Sequence, residues 1–285
     1  MFTEKVEDAY KYLSSSIAID GPLSTQTHTN YLVHGIADNK TQIINLCWCI
    51  LGFFDTMEEI DMRIESTLGP DAVARDSLYR ILCKRLWVNR SLSENQKINN
   101  RNPLLQEIIG HVLVHINRRK LILPLWLGET KGCRNPHFNA NDTGIDLIAI
   151  GLFTKEFLPI IGEIKAYEKE PLNAFNIACE KFSEVQDGDY DDEIRRDLKN
   201  LSRNGGISID DLANSIWMNK SNFGAIIGYD VNFQFDVATP CDRKNVRLQC
   251  PEKLYLISTA FEKMQTLFDY ISETLVLLAT SLGEK

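Results

Sequence analysis

Asp146, Glu163 and Lys165 are the residues of this chain whose types and spacing best suit chemistry. Asp146 lies near the start of Gly144-Ile145-Asp146-Leu147-Ile148-Ala149-Ile150, and Glu163 and Lys165 stand two apart at the end of Leu158-Pro159-Ile160-Ile161-Gly162-Glu163-Ile164-Lys165. Both apolar runs have strand length, and the short connection between them contains Gly151, Thr154, Lys155 and Glu156, so they read as a β-hairpin. Side chains alternate across a sheet, so Glu163 and Lys165 share a face, and an antiparallel neighbour can bring Asp146 beside them. Two carboxylates on apolar strands are costly to place unless a cation offsets their repulsion, which points to a hard divalent metal site beside an ammonium. Such a trio is suited to metal-assisted hydrolysis of a phosphodiester.

The elements that must position these residues follow from periodicity and punctuation. Pro103 to Arg119 has a helical pattern opened by Pro, Leu121 to Leu127 reads as a strand, and 128–143 as a polar loop. Glu129 and Lys131, also two apart, fall in that loop between Gly128 and Gly132. After the hairpin come a helix from Pro171 to Gln186, another near 193–203, a shorter one starting at Asp210, a buried strand at Phe223–Tyr229 and a long amphipathic helix from Lys253 to Leu282. Upstream, Val6 to Leu13 is helical and the sequence through Gly35 is rich in turns. Ile43 to Phe54 is apolar nearly all round and reads as a buried helix continuing to Ile64, part of the core or of a partner interface. Asp76 can cap a further helix bearing Leu78, Ile81, Leu82, Leu86 and Trp87, and the Asn-rich 89–102 segment reads as a linker. The expected fold is α/β, a mixed sheet flanked by helices (101–285) behind a mainly helical N-terminal region (1–100).

Composition narrows the setting. The chain has 285 residues, 44% hydrophobic, enough for one large domain or two modest ones. No apolar run approaches the ~18 residues of a membrane span, and the N-terminus carries Glu4 and Glu7 where a secretory signal would be basic and then apolar. A cytoplasmic protein without membrane contact is expected, its Cys47, Cys49, Cys83 and Cys179 reduced in the core. The net charge of −8 argues against an extensive basic surface for nucleic acid, although Arg118-Arg119-Lys120, Arg195-Arg196, Lys199 and Arg203 are local basic groups. There is no phosphate loop, nucleophile elbow, HExxH or dinucleotide-binding glycine pattern.

Asp146 followed by Glu163-Ile164-Lys165 resembles the acidic residue and (D/E)-x-K of the PD-(D/E)XK phosphodiesterase superfamily, with Gly144-Ile145 in place of the literal proline. The resemblance implies a restriction-endonuclease-like core and assigns Asp146, Glu163 and Lys165 as catalytic. Mg²⁺ or Mn²⁺ would be held by Asp146, Glu163, the Ile164 carbonyl and Glu107 of the preceding helix. Gly162-Glu163-Ile164-Lys165-Ala166-Tyr167, with Gly144 to Ile148 and the Glu107 helix, further resembles the HamA nuclease subunits of Hachiman antiphage systems, over roughly residues 103 to 235. That implies DNA as substrate, a defence role and a separate helicase partner.

Other residues keep two readings. Glu107, His111, His115 and Arg118 form a helical stripe that is either part of the site, with His111 and Arg118 touching DNA, or a solvated face. Tyr167 either stacks on a base or covers the sheet, and His137 is structural or a DNA contact. Two further functional classes also stand: a noncatalytic DNA-binding or assembly module, and a free-standing restriction-type endonuclease.

Overall fold

A computed structural model of the chain describes residues 2–25, 27–53, 86–88, 91–120, 124–137, 144–208, 212, 221–233, 235–236, 239 and 253–281. Its centre is a seven-stranded mixed sheet in the order β1-β2-β7-β6-β5-β4-β3. The strands are β1 (Ala18–Ser24), β2 (Thr29–His34), β3 (Glu129–Cys133), β4 (Leu147–Phe153), β5 (Glu156–Ala166), β6 (Asn222–Asp230) and β7 (Leu254–Phe261). Strands β2, β7, β6 and β5 run parallel, while β1 and the β4–β3 pair are antiparallel to their neighbours.

The helices are α1 (Phe2–Ser16), α2 (Lys40–Gly52), α3 (Asn102–Lys120), the single turn α4 (Pro124–Leu127), α5 (Pro171–Asp187), α6 (Asp191–Gly205) and α7 (Met264–Ser281). Local chemistry sets their ends. Asn39 and Gln42 form a reciprocal capping box at the start of α2, Pro171 opens α5, and Gly188 and Gly206 close α5 and α6 in the left-handed conformation.

Alternation along the strands divides the core. Leu147, Ala149, Ile160, Ile164, Ile226 and Ile257 pack with α1, α2, α3 and α7. Ile148, Ile150, Ile161, Ala225, Ile227 and Leu256 pack with Phe175, Ala178 and Phe182 of α5 and Ile194 and Leu198 of α6. The apolar run at Ile43 belongs to the first core: Ile43, Leu46 to Leu51 and Phe53 are buried, and Ile44 is exposed.

Several expectations are revised. The strand placed at Leu121–Leu127 is helical over Pro124–Leu127, and the strand comes later, at Glu129–Cys133. Glu129 and Lys131 therefore sit on an edge strand, paired with each other at the surface. The C-terminal helix begins at Met264, because Leu254–Phe261 is an interior strand of the parallel part of the sheet. Such a strand is covered on both faces and reads as a continuous apolar run that periodicity alone does not separate from a helix. The Asn-rich linker is helical over Glu94–Gln96 and π-helical over Lys97–Arg101, leading into α3, and Arg101 anchors it to Asp269 of α7. The turn-rich stretch before Gly35 forms the β1–β2 hairpin, so the N-terminal region adds strands as well as helices. The continuation of the Ile43 helix through Ile64, the helix at Asp76, Cys83 and most of the helix at Asp210 lie outside the described residues.

Candidate active site

The hairpin register brings the three charges together. Leu147 pairs with Gly162, so β4 ends beside β5 just where Glu163 begins, and Asp146 stands one residue before β4. Glu163 and Lys165 continue the face of Ile161, and Asp146 continues that of Ile148 and Ile150, so all three lie on the α5–α6 side of the sheet. Ile164 N donates to Asp146 Oδ2 at 2.8 Å, and Lys165 Nζ lies 3.6 Å from the same oxygen while also pairing with Glu163 Oε1. The N–H and C=O of one residue in an extended strand point to the same side. The Ile164 carbonyl therefore faces the side that β4 has vacated, next to Asp146.

Asp146 also meets a second group. Glu107, buried on α3, accepts from the His137 backbone N–H at 2.7 Å and lies 3.2 Å from His137 Nδ1. One ligand atom from each of Glu107, His137 and Asp146 can be chosen so that all lie within 4.8 Å of one another. This is the one group of three or more His, Cys, Asp or Glu residues with metal-ligand geometry among the described residues. Burial pushes the Glu107 carboxyl up, the His137 hydrogen bond opposes it and Asp146 adds to it; Glu107 in turn raises the His137 imidazole.

His111 is fully buried and places Nε2 3.0 Å from the Asp146 carbonyl oxygen, with Cys133 Sγ 3.7 Å from Nδ1. Burial lowers its pKa to about 3, so the ring is neutral and donates to the carbonyl through Nε2. It supports the Asp146 turn and has no surface to offer DNA. Arg118, three turns along α3 from Glu107, is exposed and apart from the cluster. The stripe read from the sequence thus runs from buried to exposed. Tyr167 is half-buried, its N–H on the Gly228 carbonyl at 2.9 Å, and it packs with the α5–α6 core.

Arg134, on the loop after β3, was not singled out by sequence reasoning. Its Nη1 donates to Glu193 Oε1 at 2.6 Å and Asp197 Oδ2 at 2.8 Å, both on α6. Glu193 Oε1 also accepts from Ile145 N at 3.4 Å. Gly144 fits beneath this carboxylate because a Cβ there would lie 2.8 Å from Glu193 Oε1. The clamp fixes the two residues before Asp146. Arg134 and Glu193 are 59 positions apart, so no local pattern links them.

The pKa of Glu163 is raised to about 7, by burial first and the Asp146 carboxylate second, against the pull of Lys165. A carboxyl raised in the fold contributes stability that is full below its unfolded value of about 4.3 and is lost as pH rises through the folded value. Metal-free Glu163→Gln is accordingly expected to lose less stability than wild type between roughly pH 4 and 7, by up to about 1.4 kcal/mol per pH unit. Melting curves in chelator measure this; parallel pH profiles for the two proteins would contradict the assignment.

Compared with known proteins, the chain matches no family model and no curated protein.

Proposed function

We propose that the chain is a metal-dependent phosphodiesterase of the PD-(D/E)XK type acting on DNA. The observation that carries this reading is the convergence of Asp146, Glu163 and Lys165 at the adjacent ends of β4 and β5. A divalent ion suits the surroundings. Glu163 Oε2 is buried with no hydrogen-bond partner, and Glu107, His137 and Asp146 can present donor atoms within 4.8 Å of one another.

When bound, a divalent cation supplies Lewis acidity toward the phosphate and a more acidic water. Asp146, Glu163, the Ile164 carbonyl and Glu107 would hold it, with Mg²⁺ or Mn²⁺ as the ion. Burial lowers the Lys165 pKa, but the Asp146 and Glu163 carboxylates outweigh it and the net shift is upward. The ammonium therefore stays charged and serves as a donor to the phosphate oxygen on which negative charge develops; it is not a base. His111 and the Arg134–Glu193 clamp hold the backbone on either side of the Asp146 carboxylate.

The biological reading is an effector of an antiphage complex that a partner helicase restrains or activates. It is supported by the resemblance of the Asp146 to Tyr167 tract and by a net charge of −8, which disfavours capture of duplex by this chain alone. The buried Ile43–Phe53 run is core, so a partner would contact other surfaces. The isolated chain is expected to cleave plasmid and single-stranded DNA weakly, and co-purification with the neighbouring gene product should change that activity by an order of magnitude or more (about tenfold) at physiological salt. Rapid digestion by the chain alone, with no partner retained, would leave a free-standing endonuclease.

One observation favours a second reading. Lys165 already pairs with Glu163, so the trio is partly neutralised without metal, as in a noncatalytic DNA-binding or assembly module. Absence of cleavage under every metal and partner condition would select it.

A further inference from the structure

Asp146 stands between two sets of groups. Glu163 and Lys165 lie on one side, and Glu107 and His137 on the other. His137 reaches Glu107 twice, through its backbone N–H and through Nδ1, and its imidazole is within ligand range of both carboxylates. An independent observation is consistent with a cation ligand at this site. Glu163 is 4% exposed and its Oε2 has no hydrogen-bond partner, while its Oε1 is tied to the same Lys165 that lies 3.6 Å from Asp146 Oδ2. Leaving a buried carboxylate oxygen unsatisfied is costly, and a cation shared with Asp146 would relieve it.

We infer that His137 is a nitrogen ligand of a divalent cation held with Glu107 and Asp146, and that it biases the site toward Mn²⁺ over Mg²⁺. The inference rests on the metal-dependent reading above and adds a ligand which that reading does not need. Oxygen donors alone suit Mg²⁺, which keeps several waters in octahedral geometry and gains little from a softer donor. An imidazole adds affinity for first-row transition ions. Removing His137 also deprives Glu107 of its ion-pair partner, which would strengthen attraction for any divalent cation alike. The ratio of Mn²⁺ to Mg²⁺ affinity isolates the nitrogen ligand from that general effect.

The test titrates the full chain with MnCl₂ and MgCl₂ by calorimetry and by thermal shift, with Mn²⁺ electron paramagnetic resonance as a direct count of bound ion. Wild type, His137→Ala and His137→Asn are compared near neutral pH. The expected result is a wild-type preference for Mn²⁺ that falls about tenfold or more in His137→Ala, with Mg²⁺ affinity changed by less than about threefold. His137→Asn, which returns an oxygen donor, should stay close to His137→Ala in that ratio. If wild type and His137→Ala bind both ions with the same ratio, His137 is an ion-pair partner of Glu107 and no ligand. If the folded wild type binds neither ion, the metal-dependent reading fails as well, so the two failures are distinct.

Discussion

Lys165→Ala should lower metal-dependent cleavage by about 10³-fold, or roughly 4 kcal/mol of transition-state stabilisation. The Lys165 ammonium is the positive group shared by Asp146 and Glu163, and burial keeps water from screening it. Its removal also leaves two carboxylates facing each other without their counter-charge, so the metal-free variant should melt below wild type. Millimolar Mn²⁺ should recover most of that stability and none of the activity. The separation matters because lost activity alone would follow from misfolding. Melting curves with and without metal, beside a nicking assay, read both quantities. A folded variant that still cleaves at the wild-type rate would remove Lys165 from the chemistry.

The second large effect concerns the cation itself. A ligand that binds only the folded state stabilises it by about 2.7 kcal/mol at one hundred times its dissociation constant, a rise of roughly 5 °C or more for a chain of this size. Mn²⁺ or Mg²⁺ is expected to produce such a rise in wild type. Asp146→Asn should abolish most of it, since Asp146 belongs to both carboxylate groups. The asparagine oxygen can still accept from Ile164 N, so the backbone anchor is retained and the loss reports charge and ligation. A metal-induced shift of equal size in both proteins would place the ion elsewhere.

What the sequence by itself determined is local. The hairpin, the shared face of Glu163 and Lys165, and the approach of Asp146 follow from strand alternation and a short connection, and the register pairing Leu147 with Gly162 realises all three. Helices α3, α5 and α6 were legible from apolar spacing and from Pro103 and Pro171, and the buried role of Ile43–Phe53 from its all-round apolar character. Tertiary structure decided the rest. The strand Leu254–Phe261 looks helical in sequence because both of its faces are covered, and only its place between β2 and β6 distinguishes it. Glu129 and Lys131 repeat the spacing of Glu163 and Lys165, yet an edge strand leaves them at the surface without a facing carboxylate such as Asp146. Spacing fixes which side of a strand a residue occupies, whereas burial and the third partner come from neighbours remote in the chain. His137 beside Glu107, His111 beneath the Asp146 carbonyl, and Arg134 bridging to Glu193 and Asp197 all join segments that no sequence period connects.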